Sequence, residues 1–305
     1  MNKITKAHLA LVLTNLIYGA NYIIAKEVTP KYILPFGMIV IRATLAFTIY
    51  SIFHHLFVKE KIQKKDIVRL IICGFLGAAL NQLLFFKGLT LTTPINASVI
   101  MTTNPILVLI AASIILKEKI TINKIVGITL GAVGAILLIG LSNDLNIGIN
   151  TSMGDLLIFL NSMSYGFYLV LIKPLMNKYN PLTVIKWVFC FGCFFSIPVG
   201  YNDLMLVEWR SIPGDIWAAI FYIIIATTCI AYLCNMYALK TLNPSIVSTY
   251  IYLQPIFAGF IALCFNKDEL TFLKIICAFM IFMGVYFVSK KDKLKDKKDT
   301  PVFQI

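Results

Sequence analysis

The chain has 305 residues, of which 59% are hydrophobic and only 13% charged, and its mean hydropathy is +0.85. A water-soluble domain carries about 25% charged residues to cover its surface, so these proportions exclude that class. The formal net charge of +13 does not indicate a nucleic-acid partner, because the lysines form short patches between long uncharged runs, as at Lys59–Lys65 and Lys290–Lys298, and not a folded basic face.

Crossing about 30 Å of hydrocarbon takes about 20 apolar residues. Segments of that kind are expected at 7–26, 34–58, 66–87, 93–116, 122–141, 153–174, 181–201, 214–238, 244–265 and 271–289. The first lacks a small-residue cleavage site and is expected to belong to the architecture, not to a removable signal. Its Asn15, Tyr18 and Tyr22 share one helical face, with Asn21 beside them. The second span holds Arg42, the one charge well inside a span. A charge at that depth normally faces a partner or a cavity. A substrate carboxylate and a structural contact to backbone carbonyls or helix ends both fit. His54 and His55 close this span without a carboxylate pair, so no metal site is expected there.

Asn81 and Gln82 of the third span are costly in lipid and should be buried in protein or wetted by a cavity. The fourth span carries Thr102, Thr103, Asn104 and Pro105 at its middle and stops abruptly on Lys117-Glu118-Lys119. Thr121 is placed to cap the next helix. In the fifth span Gly127-x-x-x-Gly131 suits close helix contact, either within the chain or across a homodimer. The sixth presents Asn161, Ser164, Tyr165 and Tyr168. The seventh begins near Lys186, expected to snorkel, and contains Cys190 and Cys193, whose apolar neighbours favour plain packing over redox or metal work. The eighth holds Thr227, Thr228, Tyr232 and Asn235. The ninth repeats the plan of the fourth, with Tyr250, Tyr252, Gln254 and Pro255, and ends near Asp268 with Thr271 as cap. A basic tail occupies 290–305.

Orientation follows from Lys and Arg. Twenty lie at the N-terminus, in the even-to-odd connections or their flanks and in the tail, against six on the other side, which predicts that both termini are cytoplasmic. On that orientation Glu118 is cytoplasmic and Asp268 external. Both read as structural residues of related hairpins.

The chain also repeats itself. At an offset of 150, Leu89, Pro94, Ser98 and Pro105 fall on Leu239, Pro244, Ser248 and Pro255, while Tyr18-Gly19 answers to Tyr165-Gly166. Two halves follow, 7–141 and 153–289. Since five spans is an odd number, the second half enters the membrane from the opposite side. Inverted repeats are a common basis for alternating access in secondary carriers. Pro105 and Pro255, halfway along their spans, each remove an amide donor and crowd the carbonyl four residues earlier, so kinks and hinges are expected there.

These motifs, namely "YGANYIIAK", "RATLAF", "FFKGLTLTTPINAS" running into "NPILVLIAASIILKEKIT", and their second-half counterparts, resemble the EamA-type branch of the drug/metabolite transporter superfamily over nearly all of 7–289. Tyr18 stands where the family often has Trp, Asp268 where Glu is usual, and Cys277 and Ile281 where a second Gly pair would fall. The resemblance implies an all-α polytopic membrane protein of ten transmembrane helices in two inverted repeats. It also implies a central cavity, a small-metabolite substrate such as an amino acid, export, and residence in a bacterial inner membrane, with no cofactor. The cavity candidates are Asn15, Tyr18, Tyr22, Arg42, Asn81, Gln82, Thr103, Asn104, Tyr165, Tyr168, Thr228, Tyr232, Tyr252 and Gln254. The hinge candidates are Pro105 and Pro255.

The deep positions of all ten spans hold no Asp or Glu. A proton-for-cation exchanger would lack its usual coupling group, which favours neutral, zwitterionic or anionic substrates over organic cations, the runner-up class. No G-x-x-x-x-G-K-[ST] loop occurs, and no Ser-His-Asp or paired-carboxylate set can be assembled from three histidines near one face, so an enzyme is not expected. A channel is disfavoured by the two unlike halves in one chain.

Overall fold

The computed structural model describes residues 2–142, 152–264 and 271–290. Asp268 and the tail beyond 290 lie outside the described residues. All the described elements are helices, as hydrocarbon demands, because a helix satisfies its own backbone groups. In chain order they are α1 (Lys3–Val28), α2 (Pro35–Phe57), α3 (Lys64–Leu91), α4a (Pro94–Met101), α4b (Asn104–Ile115), α5 (Ile122–Ser142), α6 (Ser152–Lys178), α7 (Pro181–Met205), α8 (Gly214–Thr241), α9a (Pro244–Thr249), α9b (Leu253–Cys264) and α10 (Phe272–Ser289), with 3₁₀ turns at Trp209–Ser211, before α8, and at Tyr250–Tyr252, between α9a and α9b. Nine helical stretches among the described residues are long and apolar enough to cross a membrane, with Asn96–Ile115 counted as one across the turn between α4a and α4b. The expected span 244–265 is present in two shorter pieces.

Local chemistry explains the boundaries. Pro35, Pro94, Pro181 and Pro244 open their helices, where a missing amide costs nothing. Thr121 and Thr271 accept from the amides of Lys124 and Lys274, each at a long 3.4 Å. The abrupt stop after "SIIL" is a helix-ending turn. Lys117 adopts φ 54°, and the amide of Glu118 reaches back to the Ala112 carbonyl at 3.1 Å. Glycine usually fills that left-handed position. Glu118 then pairs with Lys124 at 2.6 Å, a contact within its own hairpin in keeping with a structural role.

The halves interlock by exchange. α2 packs along α7 and α5 along α10, each helix on its own counterpart. α1 packs on α8 and α9b, and α6 packs on α3 and α4b, which is the same relation with the halves swapped. The α5–α10 seam consumes the glycines of the fifth span. A Cβ on Gly127 would come within 2.6 Å of the Gly284 carbonyl oxygen, and a Cβ on Gly284 within 2.6 Å of the Gly127 oxygen. These glycines therefore serve close contact inside the chain. Apolar side chains that miss this interior, such as Ile114, Phe194, Phe221 and Phe279, are exposed on the outside, as a lipid-facing surface requires.

Two kinds of irregularity sit at matched depths. Residues 75–80 of α3 and 223–230 of α8 are π-helical, which re-aims the side chains that follow, Asn81-Gln82 and Ala231-Tyr232. The fourth and ninth spans break just ahead of their prolines. In the first half the amides of Thr102 and Thr103 bond three residues back, to Val99 and Ile100 at 3.0 Å each, and their hydroxyls bond the same carbonyls. In the second half a 3₁₀ turn, Tyr250–Tyr252, does the same. Ahead of each proline the chain thus tightens into three-residue turns while its backbone stays right-handed helical.

Candidate functional site

A cavity of about 100 Å³ lies where the two halves meet. α1 contributes Thr14, Asn15, Tyr18, Asn21 and Tyr22. α2 contributes Arg42, and α3 contributes Asn81, Gln82, Phe85 and Phe86. Met101 comes from α4a, Asn161 and Tyr165 from α6, Tyr232 and Asn235 from α8, and Val247, Ile251 and Gln254 from the ninth span. Among these lining residues there is one formal charge, Arg42, and there is no carboxylate.

Nine of the sequence candidates are brought together here: Asn15, Tyr18, Tyr22, Arg42, Asn81, Gln82, Tyr165, Tyr232 and Gln254. Five are not, and each has a reason. Thr228 turns to the guanidinium of Arg42. Tyr168 is fully buried, its hydroxyl directed at the Met236 sulfur at 3.5 Å. Tyr252 is fully buried in the notch left by Gly131, where a Cβ would lie 2.4 Å from its ring. Asn104 is fully buried, donating to the Ser162 carbonyl at 2.7 Å. Thr103 bonds the Ile100 carbonyl and approaches the Ser162 hydroxyl at 3.4 Å. Thr14, Asn21, Asn161 and Asn235 line the cavity without having been among the candidates. Their polar character in apolar spans was the available signal. Phe85, Phe86, Met101, Val247 and Ile251 had none, since an apolar residue in a membrane helix looks the same whether it faces lipid or a cavity.

The polar residues hold one another in place. Asn81 and Asn161 exchange bonds across α3 and α6, each side-chain amide donating to the other's backbone carbonyl, at 3.2 and 2.6 Å. The equivalent place in the other half has Thr14 donating to the Ala231 carbonyl at 3.3 Å. Gln254, just before Pro255, donates to the Asn15 side-chain oxygen at 2.9 Å, and Asn15 donates to the Leu11 carbonyl at 2.8 Å. Its counterpart is the Asn104–Ser162 bond, so each interrupted helix is tied to the first helix of the opposite half. Asn235 donates to the Tyr165 hydroxyl. Such mutual satisfaction is what buried amides need to avoid a penalty of about 1–3 kcal/mol each.

Arg42 is 4% exposed. Its Nε donates to Thr228 Oγ1 at 2.8 Å and an Nη to Thr227 Oγ1 at 3.4 Å, while the guanidinium lies 5.0 Å from the centre of the Phe86 ring. These partners are hydroxyls and a π-face, all neutral. The two ion pairs among the described residues, Glu118–Lys124 and Asp66–Lys178, involve other residues.

Two successive stretches of the chain, residues 5–140 and 152–290, match the model of the EamA-like transporter family. Similar proteins include YyaM of Bacillus subtilis (strain 168), an uncharacterized transporter 29% identical over 233 residues, 76% of each chain. Another, an uncharacterized transporter of Archaeoglobus fulgidus, is 26% identical over 290 residues, 94% of this chain and 98% of the relative. A solved crystal structure superposes with a TM-score of 0.75 at 16% identity, covering 93% of this chain and 96% of the other, a likeness of fold. With both repeats matched over almost their whole length, the chain belongs to the EamA-like transporter family.

Proposed function

We propose that this protein is a secondary carrier that exports amino acids or similar small metabolites across a bacterial inner membrane by alternating access, with both termini cytoplasmic. The observation that carries the reading is the position of the cavity: it lies at the junction of two inverted repeats, beside the interruptions in the fourth and ninth spans. Helices broken at the level of a binding site are where carriers of this kind bend, and backbone freed there is tolerated against protein or a cavity. The lining suits a small polar ligand, with amides and tyrosine hydroxyls between aromatic walls.

A multidrug or organic-cation exporter is the second reading, favoured by those aromatic faces, which attract cations. Against it stand the lack of any carboxylate among the lining residues and the size of the cavity, since sites for drug-sized molecules run to about 300–1,000 Å³. A ligand-induced thermal-shift screen of the purified carrier separates the two, because a ligand that binds only the folded state stabilises it. Stabilisation by amino or organic acids supports metabolite transport. Stabilisation by amphipathic cations alone overturns it.

A further inference from the structure

Alternating access needs two gates, one at each membrane face, and here the repeat lets them be compared residue by residue. The register that pairs Tyr18-Gly19 with Tyr165-Gly166 also pairs Lys26 with Lys173, and the 150-residue register pairs Leu89 and Thr92 with Leu239 and Leu242. The first set stands where α1 and α3 end. The second stands where α6 and α8 end, at the face where α1 begins.

The gate at the ends of α6 and α8 is shut. The Lys173 ammonium donates to the Leu239 carbonyl at 2.6 Å and to the Leu242 carbonyl at 2.9 Å. Both carbonyls belong to the last turn and cap of α8, where they lack an amide partner within the helix and carry the negative end of its dipole. From the same turn Lys240 reaches back to the Tyr179 carbonyl, just past the end of α6, at 3.5 Å. Deeper along these two helices Tyr168, Leu169 and Met236 are fully buried and close off the cavity.

The equivalent gate at the other face is not latched. Lys26 is exposed and, among the described residues, makes no hydrogen bond or ion pair. Asn21, Tyr22 and Phe86, the counterparts of Tyr168, Leu169 and Met236, line the cavity. α6 packs on the second part of α8, Ala231–Thr241, whereas α1 has no comparable packing on the matching part of α3, Asn81–Leu91. The rings of Tyr22 and Phe85, edge to face at 5.8 Å, narrow this approach without capping a helix end.

We propose that Lys173 and Lys26 are alternating latches: Lys173 holds one gate shut in the state described here, and when that gate opens Lys26 takes the equivalent place on the Leu89 and Thr92 carbonyls and holds the other. The inference rests on the carrier reading and adds to it the residues that set the balance of its two states. An ammonium group suits both places, because carbonyls at a helix end accept hydrogen bonds and favour positive charge. Its long flexible stem lets the same residue be bound in one state and hydrated in the other. Since each latch engages in a different state, the two offset one another and neither state becomes a trap.

The test is hydrogen exchange of the full-length carrier in detergent, read by mass spectrometry at the ends of α6 and α8. Amides around Leu242 exchange through the state in which that gate is open, so their rate follows its population. Lys173→Met keeps the stem and removes the charge. It is expected to speed this exchange about tenfold, as the loss of a hydrogen bond to a charged group implies, while Lys173→Arg stays near wild type. Lys26→Met is the decisive variant. It alters a side chain that is exposed in this state and lies about 30 Å away across the membrane. Because it weakens the opposite state alone, it is expected to slow exchange around Leu242 about tenfold. A merely structural role for Lys26 would not act at that distance. Unchanged exchange around Leu242 in either Met variant, or faster exchange in Lys26→Met, overturns the proposal, and if Lys173→Met fails to fold Lys26→Met decides alone. Flux of L-alanine, L-leucine and a wider metabolite panel in proteoliposomes is measured in parallel. Flux without the reciprocal shift leaves a carrier that has no such latches. The reciprocal shift without flux of any metabolite upholds the latches and sinks the carrier reading.

Discussion

Gln82 and Tyr232 hydrogen-bond to one another, the amide nitrogen 3.2 Å from the phenol oxygen, and they occupy the same position in the two halves, 150 residues apart. Equivalent residues of two symmetry-related halves can touch only where the relating axis passes. The bond therefore locates the pseudo-two-fold axis of the molecule, and it passes through the wall of the cavity. Both residues follow directly on a π-helical turn of their span. Tyr232 in turn donates to the Gly77 carbonyl, inside the π turn of α3, at 3.1 Å.

Tyr232→Phe removes both bonds while keeping the ring. At about 1 kcal/mol for each buried hydrogen bond, the loss of stability should be about 1–2 kcal/mol. A lower melting temperature in detergent, with ligand affinity weakened as well, is the expected result. An unchanged melting temperature would mean that the axis contact is incidental.

The glycine seam between α5 and α10 should tolerate no side chain. In Gly284→Ala the new methyl group would meet the Gly127 oxygen at 2.6 Å and the Gly131 nitrogen at 2.7 Å, both backbone atoms that cannot swing aside. Overpacking of this kind costs about 1–3 kcal/mol. Gly214→Ala, where nothing lies within 4 Å, is the matched control and should be close to neutral. Thermal denaturation of the pair decides it.

Lys117 carries its left-handed backbone at a cost, since a side chain there crowds the following carbonyl. Lys117→Gly is expected to stabilise the carrier by up to about 1 kcal/mol. A destabilised variant would show that the Lys117 side chain itself holds the hairpin.

If the interruption in the ninth span bends during transport, Pro255→Ala should slow flux without unfolding the protein. It restores an amide donor toward the Ile251 carbonyl and lets the helix run on. Initial rates in proteoliposomes should fall, roughly tenfold if bending limits turnover, while the melting temperature holds or rises. Rates equal to wild type would assign the proline to shape alone.

Much of the fold was legible in the sequence. Uncharged runs of spanning length mark ten segments, and the structure places a helix, or a broken pair, at each. The 150-residue register carries the relation between the halves before any coordinates, but the bond between Gln82 and Tyr232 on the axis was visible only in the structure. The prolines marked the interruptions, although the backbone shortens to three-residue turns ahead of them and does not simply kink. The glycine pair of the fifth span announced close contact but not its partner.

What the sequence determines by itself is where the chain crosses and that it is written twice, because hydrophobic length and repeated spacing are properties of one dimension. Which residues face the cavity was decided only by the tertiary structure. In a soluble helix the polar side marks the outside, but here the lipid-facing surface and most of the packed interior are both apolar, so beyond the few polar side chains composition does not reveal the rotation of a helix about its axis. Tyr165 and Tyr168, three positions apart, illustrate it: one lines the cavity and the other is sealed against Met236. The charge is likewise one-sided. With Pro35 and Pro181 opening equivalent helices, the counterpart of Arg42 is Val188, fully buried. The fold is symmetric and its cavity is not, because helix packing requires only that shapes match across the axis and leaves the chemistry of the side chains on either side free to differ.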